Sequence, residues 1–170
     1  MRRAIRIIIV FVILGVVALL AALVGGRFSD GPVELIPGIP GGPLSGELDP
    51  VTDPDWSFAR DVDPIELQIN SSPPRSIFTS VVVYEGALYV PVTLAPLKRW
   101  PDIVLRNPHV LVRIEGRLFE RIAVPVTEPD LLQALIAAGQ AKYGSPFHAE
   151  WASTVTHYFR LDPVKNRSAE

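Results

Sequence analysis

The sequence contains no cysteine. Disulfides, thiolate zinc sites, iron–sulfur clusters and a cysteine nucleophile are thereby excluded together. It has three histidines, His109, His148 and His157, far apart and without the spacing of metal ligands. No G-x-S-x-G, H-E-x-x-H, Walker-type glycine loop or G-x-G-x-x-G occurs. No Lys/Arg-rich run lies beyond the first few residues, and the formal charge is −2. A nucleic-acid partner is not expected from such a chain.

What the sequence does have begins at its N-terminus. After Arg2, Arg3 and Arg6, it runs from Ile7 to Gly26 without a charge. As a helix, about 20 residues span about 30 Å, the thickness of the bilayer hydrocarbon core. Basic residues precede the span, and only Arg27 follows it closely, before Asp30 and Glu34. The positive-inside bias puts residues 1–6 in the cytoplasm and the rest outside, as in a bacterial inner membrane. A cleaved signal peptide competes with this reading. Its apolar region is shorter, at about 7–15 residues, and ends in an A-x-A-like site, where this chain has Leu23-Val24-Gly25-Gly26. An uncleaved transmembrane helix over 7–26, contacting lipid, is the expectation.

Residues 27–54 are rich in Pro and Gly and read as an extended tether. Beyond them the pattern is β. Ile65, Leu67 and Ile69 alternate with polar residues. Ile77–Val83 and Ala87–Val92 flank a turn at Glu85-Gly86, and Val110–Ile114 and Arg117–Val126 flank another at Glu115-Gly116. In the second hairpin Leu118, Ile122, Val124 and Val126 share a face that is expected to point into the barrel. A short helix over Pro101–Arg106 stops before Pro108, and Asn107 cannot easily extend it. A longer one over Pro129–Tyr143 stops at Gly144. A last strand is expected near Thr156–Leu161. The fold class is mainly β (α+β), an antiparallel sheet or small barrel over residues 55–164 with two peripheral helices and a tail at 165–170.

The stretch Leu88–Glu120, "LYVPVTLAPLKRWPDIVLRNPHVLVRIEGRLFE", combines a strand, a Lys-Arg-Trp cluster, a helix ending at Asn-Pro and a hairpin turning at Glu-Gly. It resembles the flavin-binding split β-barrel superfamily of pyridoxamine 5′-phosphate oxidase and the deazaflavin-dependent nitroreductases. The matching residues are Lys98, Trp100, Leu105, Asn107, Pro108, Val110, Val112, Gly116, Arg117 and Phe119, and the likeness extends over about 76–126. The resemblance implies a split barrel, a homodimer with the site between two barrels, and FMN or a deazaflavin as cofactor. It further implies that Lys98 contacts the cofactor phosphate, with Arg99 beside it, and that the strand around Arg75 adds contacts. Thr93 stands where the oxidases often have Ser, and Trp100 could cover the apolar side of the site. Substrate-binding residues of the oxidases have no clear counterpart. A flavin- or deazaflavin-linked oxidoreductase, or a binder of such a cofactor, is one reading. The other is an envelope interaction module that keeps the barrel without the cofactor. Haem binding would need a histidine near Lys98, and nothing in the sequence ties one there.

Overall fold

The computed structural model describes residues 2–33, 41–93, 98–144 and 155–164. His148 and the tail at 165–170 lie outside them.

Helix α1 covers Arg2–Gly25, and a 3₁₀ turn at Gly26–Phe28 ends it. The helix is long and apolar enough to cross a membrane, and none of its apolar stretch is buried inside the protein. Phe11, Ile8 and Val12 are all well exposed.

Seven antiparallel strands follow among the described residues: β1 (Ile65–Ile69), β2 (Arg75–Thr79), β3 (Val82–Tyr84), β4 (Ala87–Thr93), β5 (His109–Ile114), β6 (Arg117–Pro125) and β7 (Val155–Pro163). They form one curled sheet in the order β2-β1-β5-β6-β7-β4-β3. Both expected hairpin turns are present. Glu85 and Gly86 have φ of 47° and 77°, and Glu115 and Gly116 have 50° and 78°. Paired positive φ values make the tight turn that suits the twist of a two-residue hairpin.

The apolar run read as one strand over Ile77–Val83 is two strands, β2 and β3, at opposite edges of the sheet. Between them, Ser80-Val81 carries the chain from one edge to the other. Val81 is fully buried there, so its backbone must find partners. Its N–H donates to Tyr143 Oη at 3.1 Å, and its carbonyl accepts from Tyr143 Oη and Lys142 Nζ, both at 2.9 Å. Helix α3 (Pro129–Tyr143) supplies both side chains, so its last turn pins the corner that splits the barrel.

One face of the sheet encloses the main core. Ile65, Leu67 and Ile69 meet Val110, Val112 and Ile114 there, with Phe119, Ala123, Phe159 and Leu161 beyond. On β6 the inward residues are Phe119, Arg121 and Ala123, whereas Ile122 and Val124 lie half-buried on the outer face. The alternation expected from Leu118, Ile122 and Val124 is therefore offset by one residue. The outer face of a curled sheet is itself covered, so apolar side chains mark both faces. Helix α3 covers it at β3, β4 and β7, where Leu135 packs with Val82, Tyr89 and Tyr158.

Residues 41–53 dock on the sheet, where an extended tether was expected: the first few lie over the outer face of β1 and β2, and the later ones run beside β6. Gly41 bridges Ser76 on β2, Leu44 N–H donates to Gln68 Oε1 on β1 at 2.6 Å, and Leu48 pairs in parallel with Leu118 on β6. We call this segment the strap. Its composition suggested a flexible chain because Gly and Pro favour both loops and close backbone approach; here Gly41 and Gly42 are buried.

Candidate functional site

Helix α2 (Trp100–Arg106) closes one end of the barrel. Pro101 occupies its first turn, where no intrahelical donor is needed. Trp100 and Val104 enter the core, and the Trp100 ring lies 5.8 Å from that of Phe159. Asn107 ends the helix. Its backbone N–H donates to Ile103 O at 2.9 Å, and its amide donates to Asn70 O at 3.1 Å.

Lys98 and Arg99 stand exposed at the start of this helix. Desolvation by the surrounding chain lowers the Lys98 ammonium below its ordinary value, though solvent screens much of this at an exposed side chain. Thr93 is the last residue of β4, paired with Val155 just past a register shift; its side chain lies outside the described set. Arg75 is exposed at the start of β2, opposite Ile69 and next to the turn that receives Asn107. The fold therefore places Lys98 and Arg99 where α2 begins and Arg75 where it ends, about 10 Å of helix apart. Lys98 and Arg99 are thus two adjacent exposed cations at one end of the helix. The Trp100 face does not fit the role of a cover, because the residue is 8% exposed and packed on Phe159.

A second group of charged side chains was not picked out from the sequence. Arg113 on β5 binds Glu66 in a two-pronged contact at 2.6 and 3.1 Å, and Asp30 at 3.0 Å. Arg117 pairs with Asp49 at 2.8 Å and lies 4.7 Å from the centre of the Phe58 ring. Arg121 is fully buried. Its guanidinium lies 4.5 Å from the centre of the Trp56 ring, and Nη1 reaches Asp53 at 3.3 Å. Its Nε and Nη2 have no hydrogen-bond partner, and burial lowers its pKa. The legible signal was spacing: Arg117 and Arg121 are four apart on β6, as are Asp49 and Asp53 on the strap that runs parallel to it. A cavity of about 280 Å³ lies between strap and sheet, lined by Leu48, Pro50, Thr52, Glu120 and Val164 among others.

Two of these acids, Asp30 and Asp49, have carboxyls lowered from the ordinary value. The Ser45 backbone N–H and then Arg113 lower the Asp30 carboxyl, and Arg117 and the Val51 N–H lower that of Asp49. Among the described residues no group of three or more His, Asp or Glu side chains could hold a metal ion.

No family model matches the sequence, and no curated protein does. Solved structures match in shape. A conserved hypothetical protein from Mycobacterium tuberculosis is 14% identical, with a TM-score of 0.54 over 71% of this chain and 87% of its own. A protein of unknown function from Agrobacterium tumefaciens is 18% identical, with a TM-score of 0.50 over 68% of this chain and 58% of its own. A pyridoxamine 5′-phosphate oxidase-type protein from Listeria innocua is 15% identical, with a TM-score of 0.48 over 61% of this chain and 86% of its own. With the first two of these the chain shares its fold, one curled antiparallel sheet with peripheral helices. At these identities the likeness is one of fold.

Proposed function

We propose that the protein is a single-pass membrane protein whose external split barrel binds a flavin-type cofactor, FMN or a deazaflavin, and serves as an oxidoreductase. Anchoring is supported by a helix apolar on every side and unburied by the barrel; in water such a surface would be an aggregation site. Arg2, Arg3 and Arg6 before the span favour a cytoplasmic N-terminus.

The observation that carries the cofactor reading is the stretch Leu88–Glu120. Its superfamily-like order of Lys-Arg-Trp, Asn-Pro and Gly-Arg is realised as β4, α2, β5 and β6 of a split barrel. In this reading Lys98 and Arg99 hold the cofactor phosphate by charge-assisted hydrogen bonds. Trp100 acts from the core by fixing the helix start that carries them. Thr93 and Arg75 border the site at its strand end and its far end, and a second copy of the barrel completes it. A bound flavin would supply the redox chemistry; the chain's residues bind and orient it.

The test is titration of FMN and of a deazaflavin into wild type and a Lys98→Ala/Arg99→Ala variant, read by fluorescence quenching. Each lost contact costs about 1.5–3 kcal/mol, so binding should weaken at least about tenfold. Equal affinity in the two proteins would remove these residues from the site.

Two observations favour the second reading, a cofactor-free envelope interaction module: Trp100 belongs to the core, and Arg75 stands at the other end of α2 from Lys98. That reading predicts no binding by either protein.

A further inference from the structure

The junction between helix α1 and the barrel is a backbone crossing. Gly31 N–H donates to Pro43 O at 3.2 Å, and Gly42 N–H donates to Ser29 Oγ at 3.4 Å. The single O–H of Ser29 has two carbonyls within reach, Gly26 O at 2.7 Å and Gly31 O at 2.9 Å. Gly26, Gly31, Gly41 and Gly42 are all buried. A Cβ on Gly41 would run into the Gly31 carbonyl, and one on Gly42 into the carbonyls of Ser29 and Arg27. Glycine at 41 and 42 therefore permits contact between the helix exit and the strap, where its composition had suggested slack.

Asp30, two residues beyond Phe28, locks this crossing to the sheet. It accepts from Ser45 N–H at 2.9 Å and from Arg113 Nη1 at 3.0 Å, while Arg113 also holds Glu66. Glu66 is directly opposite Phe78 in the β1–β2 ladder, so both side chains point to the outer face. Phe28 is 84% exposed and Phe78 37%. Two apolar rings thus stand in water beside the helix exit, linked through the chain Asp30–Arg113–Glu66.

We propose that the barrel rests on the bilayer in one fixed orientation, with the surface around Phe28 and Phe78 seated at the lipid headgroup boundary. This rests on the reading of α1 as a membrane span. Aromatic rings are favoured at that depth because an apolar body meets a wet surface. A lipid surface is the occupant indicated, because the span ends within a few residues of the patch and the crossing leaves no slack between them.

The experiment uses the full chain in phosphatidylcholine/phosphatidylglycerol vesicles. The protein has no cysteine, so Phe78→Cys and Glu85→Cys each accept one environment-sensitive fluorophore. Glu85 lies in the β3–β4 turn, on the opposite edge of the sheet. Emission at position 78 should shift to the blue and be lost to a lipid-borne quencher, while position 85 responds to aqueous iodide. Gly42→Val, which obstructs the crossing, should reduce lipid quenching at 78 with the far-ultraviolet circular dichroism unchanged. Should that variant misfold, Ser29→Ala provides a milder loosening and a smaller loss. If the protein floats with vesicles but the lipid quencher treats 78 and 85 alike, the orientation is wrong and the anchor stands. If it fails to float, the anchor reading fails and the proposal with it. If 78 is shielded from iodide yet untouched by the lipid quencher, another protein copy covers the patch and the proposal is overturned.

Discussion

The guanidinium of Arg121 lies 4.5 Å from the centre of the Trp56 ring, inside a core where no part of the arginine side chain is exposed. Trp56 belongs to the 3₁₀ turn Trp56–Ala59, which follows the strap, so the strap's end is fastened to the barrel through a cation held on an aromatic face. Its ion-pair partner, Asp53, is largely exposed, and the contact is a long one at 3.3 Å.

A buried cation with two nitrogens that lack hydrogen-bond partners is expensive, and an apolar residue of similar length removes that cost. Arg121→Met should therefore match wild type or exceed it by up to about 4 kcal/mol in denaturant unfolding. Trp56→Ala should cost about 3–5 kcal/mol through lost packing, and it also takes the ring away from the buried charge. A loss of more than about 2 kcal/mol in Arg121→Met would show that the arginine makes a contact beyond Asp53 and the rings.

The strap should loosen in acid. Asp30, Asp49 and Asp55 all have carboxyls lowered from the ordinary 3.8, and all three lie between the helix exit and Trp56. A lowered carboxyl contributes stability above its unfolded value, and that contribution is lost as pH falls below 3.8 through the folded value. A spin label at Glu47→Cys should be immobilised at neutral pH and become mobile below that value before the barrel's circular dichroism changes. Mobility at neutral pH would mean that the strap is undocked.

On β6, position matters more than hydrophobicity. Ala123→Asp places an unpaired carboxylate in the main core and should cost several kcal/mol. Ile122→Asp, on the half-buried outer face, should cost clearly less by the same thermal or denaturant measurement. Equal losses would show that both faces of the strand are equally closed.

Strands, turns and both peripheral helices could be read along the chain because their signals are local: period-two alternation, Glu-Gly turns, and Pro and Gly at helix ends. The division of Ile77–Val83 could not, since both halves are β-prone and no Gly or Pro separates them. What separates them is Tyr143 and Lys142, 62 and 61 residues away in sequence, satisfying the backbone of Val81. The strap was hidden because glycine marks both slack and tight crossing, and only the partner backbone decides which. At the candidate site, Lys98 and Arg99 were legible from their place before a Pro-started helix. The burial of Trp100 was not, because a tryptophan beside two cations suits a ligand site and a core equally well.

The proposed topology rests on Arg2, Arg3 and Arg6 before the apolar helix. A reporter active only outside the cytoplasm, fused after Glu170, should be active. Activity only of a cytoplasmic reporter at that position would reverse the orientation.

The proposed function turns on whether the barrel carries a flavin-type cofactor. Its most direct measurement is the visible absorption spectrum of the full chain purified in detergent, before and after incubation with micromolar FMN or deazaflavin and removal of the free compound. The expected result is a retained flavin-type band with quenched fluorescence, stoichiometric with the barrel. A spectrum without such a band under both conditions would contradict it.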